Sequence, residues 1–239
     1  RYTEMEFDRI YAEVDLGRIE ENMEAMKEHL RPGTKMYGVV KTDAYGHGAV
    51  PVARTIDRFV CGYAVATVDE GLKLRRHGIE KEILSLGPVS AGRYQECLEN
   101  DISLPVFEYR RAKELSDAAA AEGKTAKIHI AVDTGMSRIG LFPDEGSVET
   151  VKEIAELPAL RIAGMFTHFA RADEADKTNA GEQYSRFHAF CDAVKAAGVD
   201  VPVCHCSNSA GIVELPDFNM DAVRAGITIY GLYPSDEVK

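Results

Sequence analysis

No stretch of this sequence approaches 18 uninterrupted apolar residues, so no segment reads as a bilayer-spanning helix. No charged-then-apolar leader opens it, so no secretory signal is expected. Nor is there a Lys/Arg-rich run. Basic residues number 28 against 39 acidic ones, a net charge of −11 with a pI near 5.2. That balance argues against nucleic acid and against anionic membrane surfaces as partners. Cysteine is sparse: Cys61, Cys97, Cys191, Cys204 and Cys206 are odd in number and scattered. This usage suits a reducing, cytoplasmic compartment rather than a disulfide scaffold. Cys204-His205-Cys206 invites a metal reading, but no second Cys/His pair stands at matching spacing, so no metal is expected. What remains is an ordinary globular composition, 45% hydrophobic over 239 residues, long enough for one large core.

Short apolar, β-branched runs alternate with longer amphipathic stretches. The first run, at 10–14, alternates like a strand, and Asp15 is then placed to cap a helix reaching about Leu30 with Ile19, Met23 and Met26 at helical spacing. Eight further strands are expected at 35–40, 62–67, 83–86, 102–107, 126–132, 161–167, 201–205 and 221–224. Helical patterns such as 108–122, 146–157 and 179–197 lie between them. Such alternation implies parallel pairing, and eight β-then-helix units give an α/β protein of the (β/α)8 TIM-barrel type. An open doubly wound sheet is the competing arrangement, but no G-x-G-x-x-G follows the first strand. The run at 10–14 is left over as an extra N-terminal strand. The expected division is therefore 1–15 for that segment, 16–234 for the barrel and 235–239 for the start of a linker.

In a parallel barrel, chemistry gathers at the carboxyl ends of the strands. Lys41 directly follows an apolar strand; it reads either as a lysine snorkelling from the strand end or as a desolvated amine able to form a Schiff base. His47, between two glycines, reads as a turn residue. The loop Asp133–Gly140 brings Arg138 to the rim, where it suits an anion or a phenolate oxygen. His168 ends the sixth strand between aromatics. At the eighth, Arg224 is followed by Gly226 and Ile227, whose backbone could cradle a phosphate with the hydroxyls of Ser209 and Tyr45. An amine, a phosphate nest and two arginines on one rim match the handles of pyridoxal phosphate.

These residues resemble a known family, the amino-terminal barrel of bacterial alanine racemase. The blocks that carry the resemblance are Val39-Val40-Lys41, Asp43-Ala44-Tyr45-Gly46-His47-Gly48, Val132-Asp133-Thr134-Gly135-Met136 with Arg138-Ile139-Gly140, Thr167-His168-Phe169-Ala170, Asn208-Ser209-Ala210, and Val223-Arg224 with Gly226-Ile227 and Tyr230-Gly231. The resemblance implies a pyridoxal 5'-phosphate enzyme in which Lys41 carries the cofactor and serves as one catalytic base. Tyr45, Ser209 and the backbone of Gly226 and Ile227 would hold the phosphate, and Asn208 would be a further cofactor-binding residue. Arg138 would reach the phenolic oxygen and the substrate, and His168 would support Arg224 at the pyridine nitrogen. An arginine there donates to the ring nitrogen without protonating it, which favours racemisation over transamination. One departure is Ala131, where many family members carry a lysine that orients the arginine corresponding to Arg138.

The resemblance further implies a carboxy-terminal β-domain absent from this sequence, which opens on Arg1-Tyr2 and reads as a piece of a longer chain. That domain would supply a tyrosine, the base for the opposite face, across a homodimer interface; this part alone is then expected to racemise weakly or not at all. The substrate would be alanine, interconverted for peptidoglycan. Two other readings stay open: the racemase part of a membrane-anchored serine/alanine racemase, with serine as a further substrate, and a non-catalytic single-barrel carrier of the cofactor.

Overall fold

The computed structural model describes residues 10–238. Eight parallel strands close into a barrel: β1 (Lys35–Val39), β2 (Gly62–Val65), β3 (Glu82–Ser85), β4 (Ile102–Val106), β5 (Ala126–Ala131), β6 (Leu160–Phe166), β7 (Cys204–His205) and β8 (Ala222–Ala225). Each pairs with its sequence neighbour, and β8 closes onto β1 in the register Lys35↔Ala222 to Gly38↔Ala225. The strands are short apolar runs because a barrel wrapped by helices buries both faces of every strand. β2, β4 and β8 are buried at every position.

The helices of the outer layer include α1 (Leu16–His29), α2 (Ala49–Ile56), α3 (Val68–Arg76), α4 (Tyr94–Glu99), α5 (Tyr109–Ala121), α6 (Glu145–Ala155), α7 (Thr178–Ala196) and α8 (Ser209–Glu214). Their starts follow capping chemistry. Asp15 accepts the N–H groups of Gly17 and Arg18 ahead of α1, and Thr67 with Glu70 forms a reciprocal capping box on α3. α1 turns Ile19, Met23 and Met26 inward, as its spacing requires. Among the described residues no helix is long and apolar enough to cross a membrane.

Two expectations need correction. Residues 10–14 do not form a ninth strand; they run as irregular chain, with Ile10 90% and Tyr11 61% exposed. The physical reason is closure. A barrel whose first and last strands pair has no free edge to accept another strand. The remainder of that expected N-terminal segment, residues 1–9, and Lys239 lie outside the described residues. The seventh strand is also shorter than the expected 201–205, pairing only through Cys204 and His205, since Pro202 has no N–H to give a ladder.

Candidate active site

A cleft of about 540 Å³ opens at the carboxyl ends of the strands, a volume suited to a small-molecule ligand. Lys41, Tyr45, Arg138, His168, Asn208, Ser209, Arg224, Gly226 and Ile227 all line it. Val39, Val132, Met136 and Phe166 supply apolar wall between them. Barrel closure is what brings these residues together, because they come from the ends of β1, β5, β6, β7 and β8.

The backbone that presents Lys41 and Tyr45 is unusual. Thr42, Asp43 and Ala44 sit at φ near +51° to +55° and ψ near +47° to +51°, with Tyr45 at φ +53°, forming a left-handed turn of non-glycine residues. Such a conformation costs about 1–2 kcal/mol per residue, so neighbours must hold it. Glu70 accepts the Thr42 N–H at 2.6 Å while also accepting the Ala66 N–H at 2.7 Å. Asp43 accepts the Ala49 N–H at 2.9 Å and pairs with Lys73 at 2.7 Å. Ala44, fully buried, anchors the turn's inner side. Strain held in this way at a cleft rim is typical of functional sites. The turn leaves the Lys41 Nζ 5.9 Å from the centre of the Tyr45 ring.

Beside the Tyr45 hydroxyl the chain builds a small polar hollow. The Ser209 hydroxyl accepts the Gly226 N–H at 3.0 Å and the Thr228 N–H at 3.4 Å. Asn208 caps α8 by accepting the Gly211 N–H at 3.1 Å, which fixes Ser209 as the first residue of that helix. A Cβ at Gly226 would lie 3.4 Å from the Ser209 Oγ and 3.6 Å from the Tyr45 Oη. The missing side chain is therefore the open centre of a hollow edged by two hydroxyls, beside the start of the 3-10 turn Ile227–Tyr230, where the Gly226 and Thr228 N–H groups hold Ser209 and leave that of Ile227 over. Two hydroxyls and a backbone amide at the start of a helical turn suit an oxyanion such as phosphate. Burial pushes the Tyr45 phenol up from its ordinary value, so it stays a neutral donor.

The floor of the cleft is Arg224, 3% exposed. Its Nη1 donates to the His205 Nδ1 (2.8 Å) and carbonyl (3.1 Å); its Nη2 donates to the carbonyls of Thr167 (2.8 Å) and Cys206 (3.1 Å) and to the His168 Nδ1 (3.2 Å). Burial lowers the guanidinium to about 10, still charged at neutral pH. Burial, with the positive charges of Arg224, Arg138 and Lys41, pushes His168 down to about 3. A neutral His168 can then accept from Arg224, as the geometry requires.

Arg138 is exposed at the cleft mouth and makes no hydrogen bond among the described residues. Ala131, at the end of β5 and buried, is too short to reach it. His47 hydrogen-bonds the Ala44 carbonyl and stacks on Tyr230 at 4.6 Å, a turn residue. Sequence reading passed over Tyr37, Glu82 and His129, which with His205 form a polar layer inside the barrel beneath Arg224. The available signal was polar residues inside apolar strands at positions that a barrel turns inward.

The family model for the N-terminal domain of alanine racemase matches residues 14–234. The alanine racemase of Clostridium novyi is 45% identical over 230 residues, which is 96% of this chain and 59% of that protein. That of Methanococcus maripaludis is 42% identical over 96% of this chain and 62% of its own length. Among solved structures, the alanine racemase of Clostridium difficile 630 superposes with a TM-score of 0.92 at 39% identity, over 94% of this chain and 59% of that one. The alanine racemase of Bacillus anthracis, solved with bound L-Ala-P, gives a TM-score of 0.85 at 38% identity, over 94% of this chain and 58% of that one. The chain thus spans about three fifths of the length of the relatives it matches.

Proposed function

The chain belongs to the alanine racemase family, through that family's N-terminal domain, and on that premise we propose that it is the pyridoxal 5'-phosphate-holding barrel of a racemase acting on alanine. One observation carries the reading. A lysine, a hollow edged by two hydroxyls and a glycine, and a buried arginine face one cleft. When bound, the cofactor supplies an aldehyde that condenses with amines and a ring that withdraws electrons from the substrate's Cα.

The chain's own residues divide the remaining work. Tyr45 and Ser209, with the Gly226–Ile227 backbone, hold the phosphate. Arg224 donates to the ring nitrogen and, staying charged, leaves that nitrogen without a proton of its own. Lys41 holds the cofactor and then moves a proton at one face of Cα, its reach set by the left-handed turn. Arg138 meets the phenolic oxygen and the substrate carboxylate as an anion partner. The reading assigns the proton at the opposite face to a tyrosine of a further domain, brought in by a homodimer.

Mixing the chain with pyridoxal phosphate is expected to give a visible absorption band above that of free cofactor. Borohydride should then fix the label on Lys41. Lys41→Ala should lose the band and the label, and a band that survives that substitution sinks the reading. Gly226→Val provides a second check. Its branches would fill the hollow between the Ser209 and Tyr45 hydroxyls, so cofactor affinity should fall by at least tenfold, read by titration of the same band. Affinity for pyridoxal, which lacks the phosphate, should change little.

A further inference from the structure

Beneath Arg224 a line of hydrogen bonds crosses the barrel interior. Arg224 Nη1 meets His205 Nδ1 at 2.8 Å, His205 Nε2 meets His129 Nδ1 at 3.0 Å, and His129 Nε2 meets Glu82 Oε1 at 3.2 Å. Its two ends have opposite and fixed character. A guanidinium can only donate, and an ionised carboxylate can only accept. From the arginine end, His205 Nδ1 must be bare, so its proton is on Nε2 and is given to His129. His129 Nδ1 must then accept, which places its proton on Nε2, facing Glu82. The carboxylate end demands the same arrangement. Both imidazoles are neutral and both carry their proton on Nε2.

The surroundings are built for this line. The His205 ring is stacked between Tyr37 at 5.3 Å and Phe166 at 5.4 Å, which fixes its plane. Gly164 leaves room for His129, since a Cβ there would lie 2.6 Å from the ring. Glu82 also accepts from the Tyr37 hydroxyl and the Ser103 hydroxyl, each at 2.7 Å. Burial raises its carboxyl, but the bonds from His129, Tyr37 and Ser103 outweigh that and bring it to about 2, ionised throughout the neutral range. His205, fully buried, is held well below its ordinary value by burial first and then by the charge of Arg224.

We propose that Glu82, at the amino-terminal end of β3, is a positioning residue for Arg224 at the opposite end of the barrel, acting through His129 and His205 as a one-way hydrogen-bond wire. The wire supplies Arg224 with a distant counter-charge while its direct partners among the described residues stay carbonyls and imidazoles, none of them a carboxylate. A carboxylate adjacent to Arg224 would compete for its donors and pull the guanidinium away from the ring-nitrogen end. Two neutral imidazoles pass on the orientation without passing on a charge. The link to the ring nitrogen rests on the cofactor reading above; the wire itself does not.

The test is nitrogen NMR of the 239-residue chain with labelled histidine and arginine, without cofactor. Single His129→Asn and His205→Asn variants assign the ring signals. Both rings should show a protonated Nε2 and a bare Nδ1. A proton on Nδ1 of either ring, or a doubly protonated ring, overturns the wire. In the folded wild type the Arg224 Nη protons should be resolved and slow to exchange; Glu82→Leu should merge or broaden them, and Glu82→Gln, which keeps an acceptor oxygen, should restore part of the pattern. Unchanged Arg224 signals in folded Glu82→Leu would remove Glu82 from any positioning role. With pyridoxal phosphate added, Glu82→Leu should bind on the order of tenfold more weakly, the scale on which outer partners of a ligand act. A wild-type chain that takes up no pyridoxal phosphate sinks the cofactor reading, and the ring protonation pattern then decides the wire by itself.

Discussion

Arg224→Leu should lower the unfolding free energy of the chain by about 3 kcal/mol, measured by urea denaturation at neutral pH. Two opposing effects decide the size. Leucine relieves the burial of a charge and adds apolar contact, worth about 1.5–3 kcal/mol. Against this, the carbonyls of Thr167 and Cys206 and the bare nitrogens of His205 and His168 lose their donor, while the His205 carbonyl keeps the Thr167 N–H. Each buried acceptor left unpaired costs about 1–3 kcal/mol. Four acceptors outweigh one leucine, even with those nearest the cleft rescued by water. Arg224→Lys should recover little of the loss, because a single ammonium cannot span acceptors laid out for a planar fork. A leucine variant within 0.5 kcal/mol of wild type, the range of ordinary surface changes, would mean that the arginine is held by nothing.

The barrel was legible because of how parallel strands are buried. Runs such as Gly62–Val65 and Ile102–Val106 are buried along their whole length and carry no charge, so they stand out between amphipathic helices. The cleft residues followed from that count, since function in such a barrel collects at one end of the strands. Other features were closed to the same reasoning. Residues 10–14 carry a good strand pattern, but pattern does not reveal whether an edge is free to receive it. The turn at Thr42–Tyr45 contains no glycine, so nothing local marks it as left-handed; its stability comes from Glu70 and Lys73 on α3, nearly thirty residues away. Glu82 falls one residue before the strand expected at 83–86 and was passed over. Only the register that sets Glu82 opposite Gly62, and Tyr37 opposite Arg224, turns it toward the barrel interior.

Acid should unfold this chain in two stages, and the sign of each follows from its cause. His205 is held neutral in the fold by burial and by Arg224, whereas in the unfolded chain it titrates near 6.5. Its contribution is complete above that pH and is lost as pH falls below it, at about 1.4 kcal/mol per pH unit. From His205 alone the loss reaches about 2 kcal/mol by pH 5; His168, partly open to the cleft, adds a smaller share. Glu82 is ionised in the fold down to about 2 but near 4.3 when unfolded, so a second, similar slope begins below pH 4.3. Surface carboxylates such as Asp69 and Asp176, fully open to solvent, add little to either stage. Urea unfolding at pH 7.5, 6 and 5 checks the first stage, and Glu82→Gln should flatten the second while leaving the first in place. A stability that stays level down to pH 5 would contradict a neutral His205. The first stage also reaches the cleft. A proton added to His205 at Nδ1 would face a guanidinium that can only donate, and two donors cannot share one contact, so acid should release Arg224 before the barrel opens.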